Sequence, residues 1–150
     1  MSYTLLPINE VFESIQGEAS YTGTPSIFIR MHGCPVGCHW CDTKHTWEMT
    51  GKIIPIQTML GKTNDTDEYS MMSIEDIVDM CNDFKANHVV ITGGEPCLYD
   101  LNKLTATLLA LGYTVQIETS GTQLIRCHAG TYITVSPKVN MAGGYDVLDA

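Results

Sequence analysis

The sequence predicts an α/β fold in which the strands of one largely parallel sheet alternate with helices. Four short apolar runs are rich in β-branched residues, two amphipathic helical patterns lie among them, and each run ends abruptly in a Gly-rich or polar motif. Strand–helix–strand units of this spacing form parallel sheets with right-handed crossovers. With 150 residues, the chain is long enough for one compact domain and too short for two.

Strands are expected at residues 26–31, 88–92, 113–117 and 132–135. We interpret these runs as apolar on both faces, which is typical of a parallel sheet that is covered on both sides. The motifs that follow them are Gly33-Cys34, Gly93-Gly94-Glu95-Pro96, residues 118–122, and Ser136-Pro137-Lys138. Ligands bind beyond the carboxyl ends of strands in such sheets, so we expect the four motifs to share one functional edge.

Residue periodicity predicts two helices. Ser73 is a suitable N-cap with Asp76 three residues later, and apolar positions 74, 77, 78, 81 and 84 share one helical face. Asp100 is a candidate N-cap for the second helix, and Gly112 is a candidate stop.

The domain organisation follows from these elements. Residues 1–150 are interpreted as a single domain with a cysteine loop at 33–47 and a loop-rich insertion at about 48–72. Residues 10–15 alternate enough for a strand or a short extended segment, and the next three residues turn the chain.

Charge and cysteine usage exclude several classes of partner. The formal net charge of −9 opposes binding to DNA, RNA and anionic membrane surfaces. No apolar run approaches the length of a membrane span, and residues 1–10 lack the features of a signal peptide. We therefore expect a cytoplasmic protein whose six cysteines are thiols or metal ligands.

Three cysteines carry the strongest chemical signal. Cys34, Cys38 and Cys41 form a C-x3-C-x2-C loop directly after the first apolar run. Three thiolates hold three irons of a [4Fe–4S] cluster, and the fourth iron is then open to the amino and carboxylate groups of S-adenosylmethionine (SAM). A zinc site is the alternative, because one of three nearby histidines would complete a four-ligand set. Those histidines are His32, His39 and His45.

The other motifs are weaker signals. Gly93 and Gly94 allow close backbone approach, so we expect their loop, with Glu95, to bind the amino group of SAM through backbone and carboxylate oxygens; a tight turn is the alternative.

Arg30 lies in an apolar run and must either reach solvent or meet an anion such as a substrate carboxylate. Thr43 is a candidate Mg²⁺ ligand.

Three cysteines lie outside the cluster loop. Cys81 falls on the apolar face of the first predicted helix, so we expect it to fill the core. No role is predicted for Cys97 or Cys127.

Several longer segments together resemble the 7-carboxy-7-deazaguanine synthases of the radical SAM superfamily. They are spread over nearly the whole chain in the order of that family. They are FESIQGE at 12–18, FIR at 28–30, CPVGCHWCDTKHTW at 34–47, VVITGGEPC at 89–97, IETSGT at 117–122 and TVSPKVNM at 134–141.

The resemblance implies a role for each matching residue. It implies that three cysteines hold the cluster, that Thr43 ligates Mg²⁺, and that two further groups of residues surround SAM and the pterin substrate. The cluster ligands are Cys34, Cys38 and Cys41; the SAM contacts are Trp40, Cys41, Asp42, Gly94, Ser136, Pro137 and Lys138; the substrate contacts are Ile15, Gln16, Gly17, Arg30 and Thr92.

The same resemblance implies a reaction and an assembly. Members of the family convert 6-carboxy-5,6,7,8-tetrahydropterin to 7-carboxy-7-deazaguanine with loss of ammonia, a step toward queuosine in tRNA. They are homodimers with a reduced (βα) barrel, and a reductant such as a flavodoxin is expected. Two alternatives stay open: an activase of a glycyl-radical enzyme, and an inactive module that binds a cluster or zinc.

Residue 150 comes soon after the Ser-Pro-Lys motif. We therefore expect a partial barrel, incomplete at its C-terminal end, with an unpaired sheet edge. If the chain is complete, low stability or obligate pairing with another chain is expected.

Overall fold

The computed structural model describes residues 5–17, 21–32, 53–61, 68–93, 95–121 and 124–135. The strands are β1 Leu5–Ile15, β2 Pro25–Met31, β3 Ser70–Ser73, β4 His88–Gly93, β5 Thr114–Thr119 and β6 Tyr132–Val135. The helices are α1 Ile56–Leu60, α2 Ile74–Asn82 and α3 Asn102–Ala110, with a short 3-10 turn at Pro96–Leu98. These elements confirm an α/β architecture.

One mixed sheet contains all six strands in the order β3-β1-β2-β4-β5-β6. Strands β2, β4, β5 and β6 run parallel to one another, as the sequence predicts. Their carboxyl ends therefore meet at one edge of the sheet, where the four motifs begin. Strand β1 is antiparallel to both β2 and β3. This pairing was not predicted, because nothing in a short apolar run identifies a distant partner.

Two backbone hydrogen bonds link the start and the end of the connection between β1 and β2. The Gln16 amide donates to the Thr24 carbonyl at 2.9 Å, and the Gly23 amide donates to the Gln16 carbonyl at 2.7 Å. Gly23 has a φ of 89°, a conformation that side chains with a Cβ disfavour. The connection thus returns the chain directly alongside β1.

A β-bulge interrupts β1 at Asn9. Ile8 pairs with Met31 and Glu10 pairs with Arg30, so Asn9 is the extra residue. Bulges re-aim side chains. Here the Asn9 side chain is buried, and its Nδ2 lies 3.2 Å from His32 Nδ1.

The two faces of the sheet differ in chemistry. Six side chains of the three central strands point to one face and form the core with α2 and α3; they are Ile27, Ile29, Val89, Ile91, Val115 and Ile117. The opposite face carries polar groups of the same strands and is called the polar face below. Its residues include Ser26, Arg30, His88, Thr92, Thr114, Gln116 and Glu118. The expectation of strands apolar on both faces was therefore wrong, because side chains alternate along each strand.

Helix α2 begins as predicted. The Asp76 amide donates to Ser73 Oγ, and the Ser73 amide donates to the Asp76 carboxylate, each at 3.1 Å. This reciprocal pair satisfies two amides that the first turn leaves without helical partners.

Helix α3 begins one residue later than the predicted cap implies. Leu101 is the N-cap residue and makes no side-chain capping bond. Asp100 still contributes, because its Oδ1 accepts from the Asn102 amide at 3.0 Å. The helix ends before Gly112, whose φ is 97°.

The insertion contains regular structure that the sequence did not predict. Helix α1 and strand β3 both lie within or at the end of it. Strand β3 pairs with the outer edge of β1, from Leu5 opposite Ser73 to Ile8 opposite Ser70. Among the described helices, none is long and apolar enough to cross a membrane.

Cys81 fills the core, as predicted. Its side chain is buried on α2, and burial raises the pKa of its thiol to about 12. A thiol with this pKa stays protonated, and therefore unreactive, at neutral pH.

Two substitutions, one in α3 and one directly after it, test which side chains belong to the core. Leu104→Ala should lower the free energy of unfolding by about 3 kcal/mol, because it leaves a cavity where a fully buried side chain packs. Leu111 follows α3 and is 55% exposed, so Leu111→Ala should cost less than about 0.5 kcal/mol. Urea denaturation measures both values. Equal losses would contradict the assignment of these residues to core and surface.

Candidate functional site

The polar face is organised in three rows that cross the strands. The lower row contains Ser14, Ser26, His88 and Thr114; the middle row contains Phe12, Phe28, Val90 and Gln116; the upper row contains Glu10, Arg30 and Thr92. In each row, register partners on adjacent strands lie side by side. The upper row lies nearest the carboxyl edge of the sheet.

The upper row brings two predicted substrate contacts together. Arg30 and Thr92 are register partners on β2 and β4. Arg30 meets an anion of the chain itself, because its Nε lies 3.4 Å from Glu10 Oε1. Both side chains are mostly buried, with exposed fractions of 25% and 17%. The guanidinium of Arg30 is thus paired with Glu10, a residue that no sequence pattern identified as its partner.

The middle row places apolar side chains beside these charges. The Phe12 and Phe28 rings stack with centroids 5.2 Å apart and an angle of 9° between their planes. Val90, on the neighbouring strand, is fully buried. A flat ligand on this face would meet rings as well as polar groups.

Gln16 is joined to the polar face by two hydrogen bonds. Its Nε2 donates to Gln116 Oε1 at 2.9 Å and to Glu118 Oε2 at 3.1 Å. The Gln16 side chain is almost completely buried. No local signal identified Gln116, which belongs to an apolar run, whereas Glu118 was noted only as part of the strand-end motif.

The remaining two residues of this predicted set lie elsewhere. Ile15 is exposed and lines, with Glu13 and Lys85, a cavity of about 450 Å³ that is open to solvent. Gly17 is exposed, and a Cβ built on it would meet nothing within 4 Å. Of the five predicted substrate contacts, Gln16, Arg30 and Thr92 are the three that belong to or contact the polar face.

The lower row contains a buried histidine. His88 Nδ1 lies 2.7 Å from Thr114 Oγ1, and His88 Nε2 lies 3.0 Å from Gln116 Oε1. The Tyr21 ring stacks on the imidazole with centroids 4.0 Å apart. Gln116 Nε2 donates to Thr134 Oγ1 on β6 at 2.8 Å. These contacts connect β4, β5 and β6 with the β1–β2 connection.

The Glu95 carboxylate accepts four hydrogen bonds within the chain. Oε1 accepts from the Ser120 amide at 2.9 Å and from its hydroxyl at 2.6 Å. Oε2 accepts from the Cys97 amide at 2.8 Å and from Thr119 Oγ1 at 2.7 Å. The side chain is buried, so the expectation that these oxygens bind a ligand amino group was wrong. Glu95 instead ties the loop after β4 to the end of β5.

Gly93 and Cys97 flank this carboxylate. A Cβ on Gly93 would lie 3.0 Å from the Met31 carbonyl oxygen, so glycine lets β4 approach β2 closely. Burial, as the largest cause, raises the pKa of the Cys97 thiol to about 11. Cys97 is therefore a packing residue.

His32 anchors the chain just before the cysteine motif. It is fully buried, and its ring stacks on Tyr69 with centroids 4.2 Å apart. The Tyr99 hydroxyl donates to the His32 carbonyl at 2.7 Å. Burial raises the pKa of that hydroxyl to about 12, so it remains a donor at neutral pH. These contacts favour an anchoring role for His32 over a metal-ligand role.

Ten predicted site residues lie outside the described ranges. They are Cys34, Cys38, Trp40, Cys41, Asp42, Thr43, Gly94, Ser136, Pro137 and Lys138. Within the described ranges, no group of three or more His, Cys, Asp or Glu side chains is arranged to hold a metal ion.

Comparison with known proteins finds relatives that share one name. The chain is 52% identical over 145 residues to 7-carboxy-7-deazaguanine synthase of Escherichia coli, with 95% of this chain and 65% of the relative covered. It is 41% identical to the enzyme of the same name from Halobacterium salinarum, with 89% of this chain and 46% of that relative covered. It thus spans less than two thirds of the length of these relatives.

A solved structure has the same fold. The crystal structure of QueE from Escherichia coli matches with a TM-score of 0.89 and 52% identity, covering 96% of this chain and 64% of the other. The profile of the radical SAM superfamily matches residues 28–129, which is more than half of the chain. The chain therefore belongs to the radical SAM superfamily.

Proposed function

We propose that this chain carries out the reaction of a 7-carboxy-7-deazaguanine synthase. It would convert 6-carboxy-5,6,7,8-tetrahydropterin to 7-carboxy-7-deazaguanine with release of ammonia, in the supply of a queuosine precursor. One observation carries the proposal: Gln16, Arg30 and Thr92 gather at one polar face of the sheet, in a chain that matches QueE with a TM-score of 0.89.

Three thiolates are the chemical basis for the cofactor assignment. Cys34, Cys38 and Cys41 fit a [4Fe–4S] cluster with one open iron, which SAM would chelate. When bound, the cluster and SAM supply the electron and the radical that removes hydrogen from the substrate. The SAM contacts would be Trp40, Cys41, Asp42, Gly94, Ser136, Pro137 and Lys138.

The polar face would bind and orient the pterin. Arg30 would bind the substrate carboxylate, for which its planar guanidinium is well suited. Glu10 holds that guanidinium from the side, which reduces the side-chain freedom lost on binding. Thr92 and Gln16 would contribute hydrogen bonds to the polar ring system, and Ile15 and Gly17 would contribute through their backbone.

Glu95 would act on SAM through the backbone. Its four hydrogen bonds hold Glu95 and Cys97, just after Gly94 in the sequence, against the end of β5. A backbone held in place presents its carbonyl groups to the SAM amino group without a cost of reorganisation.

Further partners belong to the same proposal. Thr43 would ligate Mg²⁺ through its hydroxyl, as this cation prefers oxygen ligands. The assembly would be a cytoplasmic homodimer that receives electrons from a reductant such as a flavodoxin. A formal net charge of −9 supports the absence of nucleic acid and membrane partners.

An anaerobic product assay tests the reaction directly. The protein, reconstituted with iron and sulfide, is expected to convert 6-carboxytetrahydropterin to 7-carboxy-7-deazaguanine in the presence of SAM, Mg²⁺ and a reductant, as read by mass spectrometry. Cys38→Ala should lose both the cluster absorbance and the product. A protein that holds about four irons per chain yet forms no product would overturn the proposal and favour an activase.

Arg30 offers a second test, on substrate affinity. Arg30→Leu should raise the KM for the pterin by at least about tenfold, since a charge-assisted hydrogen bond contributes about 1.5–3 kcal/mol, and leave the KM for SAM within about twofold. Lys103→Leu is the matched control, because it removes one positive charge from the exposed side of α3. An equal rise of both KM values in Arg30→Leu would contradict substrate binding by this residue.

Glu95 offers a third test, on SAM affinity. In Glu95→Gln the amide nitrogen cannot accept, so the Ser120 or the Cys97 amide loses its acceptor. We expect a stability loss of about 2 kcal/mol, measured by urea denaturation, and a several-fold rise in the KM for SAM. Glu75→Gln, in the exposed first turn of α2, is the control. Lost stability with an unchanged KM for SAM would limit Glu95 to a structural role.

A further inference from the structure

A continuous series of hydrogen bonds crosses the polar face. It runs from Glu118 through Gln16, Gln116 and His88 to Thr114, with successive distances of 3.1, 2.9, 3.0 and 2.7 Å. Gln16, Gln116 and His88, in the middle of the series, are each at most 2% exposed. Buried polar groups of this kind are stable only when their partners are correctly oriented.

The direction of each bond follows from the carboxylate end. A carboxylate accepts and does not donate, so Gln16 must present its amide nitrogen to Glu118. The same nitrogen faces Gln116, which must therefore present its oxygen. The oxygen of Gln116 needs a donor from the imidazole, so the hydrogen of a neutral His88 lies on Nε2. Nδ1 then accepts from the Thr114 hydroxyl.

Two further contacts hold this arrangement. Gln116 Nε2 donates to Thr134 Oγ1. If the amide of Gln116 turned over, its nitrogen would face the amide nitrogen of Gln16, and two donors would oppose each other. The Tyr21 ring lies parallel to the imidazole of His88 within 20° and restricts its rotation. Tyr21 belongs to the connection that starts at Gln16, so two residues of this connection contact the polar face.

We propose that His88, acting through Gln116, is a positioning residue that holds Gln16 in the orientation in which it contacts the pterin. This proposal rests on the proposed function, because it takes Gln16 as a pterin contact. His88 does not touch the substrate. Its donor on Nε2 fixes the Gln116 oxygen, and that oxygen fixes the amide of Gln16.

Kinetics of four variants test this role. His88→Phe keeps a planar ring for Tyr21 and removes the donor; we expect the KM for the pterin to rise about tenfold, with kcat and the KM for SAM within about twofold. His88→Gln restores a donor near the position of Nε2 and should recover most of the affinity. In a Gln16→Leu background, adding His88→Phe should change the KM for the pterin by less than about twofold.

A matched control separates positioning from loss of stability. Val115→Ala removes a buried side chain from the opposite face of β5 and should leave the KM for the pterin unchanged. If His88→Phe does not fold, Thr114→Val tests the other end of the series: it removes the hydroxyl that fixes the tautomer, and the KM for the pterin should rise about threefold.

The outcomes distinguish the two proposals. Wild-type protein without turnover of the pterin overturns the proposed function, and this inference with it. Active wild-type protein in which His88→Phe or Thr114→Val leaves the KM for the pterin unchanged overturns the positioning role alone. The same holds if His88→Phe raises that KM tenfold in the Gln16→Leu background as well.

Discussion

The fold depends on burying one face of the sheet beneath α2 and α3. Side chains alternate along a strand, so every residue that points to the helices is followed by one that does not. In β2, β4 and β5 the first set is aliphatic and makes the core, as Ile29, Ile91 and Val115 illustrate. The second set contains the polar and charged side chains and lies outside that core. The core and the proposed substrate contacts Arg30 and Thr92 thus lie on opposite faces of the same strands.

This separation explains how the predicted site forms from distant parts of the chain. Gln16 meets Gln116 across 100 positions of sequence, and Thr119 meets Glu95 across 24. Neither contact arises from local geometry; each follows from strand order and register. Three carboxylates of the site have distinct tasks. Glu10 holds a cation, Glu95 holds two backbone amides and two hydroxyls, and Glu118 sets the direction of a hydrogen-bond series.

The parts that sequence patterns predicted are those with local physical causes. Four strands and α2 were correct, because β-branched runs and the Ser73–Asp76 capping box act within a few residues. The pairing of β1 with β3, the burial of Glu95 and the Arg30–Glu10 pair were missed, because they depend on neighbours far along the chain. The polar face was missed for another reason: Val90 sits between Val89 and Ile91, so an alternating strand resembles a continuous apolar run.

The bulge at Asn9 makes the length of β1 as important as its composition. Before the bulge the core-facing residues have even numbers, as in Leu6 and Ile8; after it they have odd numbers, as in Val11. Loss or gain of a single residue between these positions would exchange the core-facing and outward-facing side chains of one half of the strand. Substitutions along β1 are therefore far easier to accommodate than single-residue insertions or deletions. When the sequences of relatives are aligned, this segment should be free of gaps.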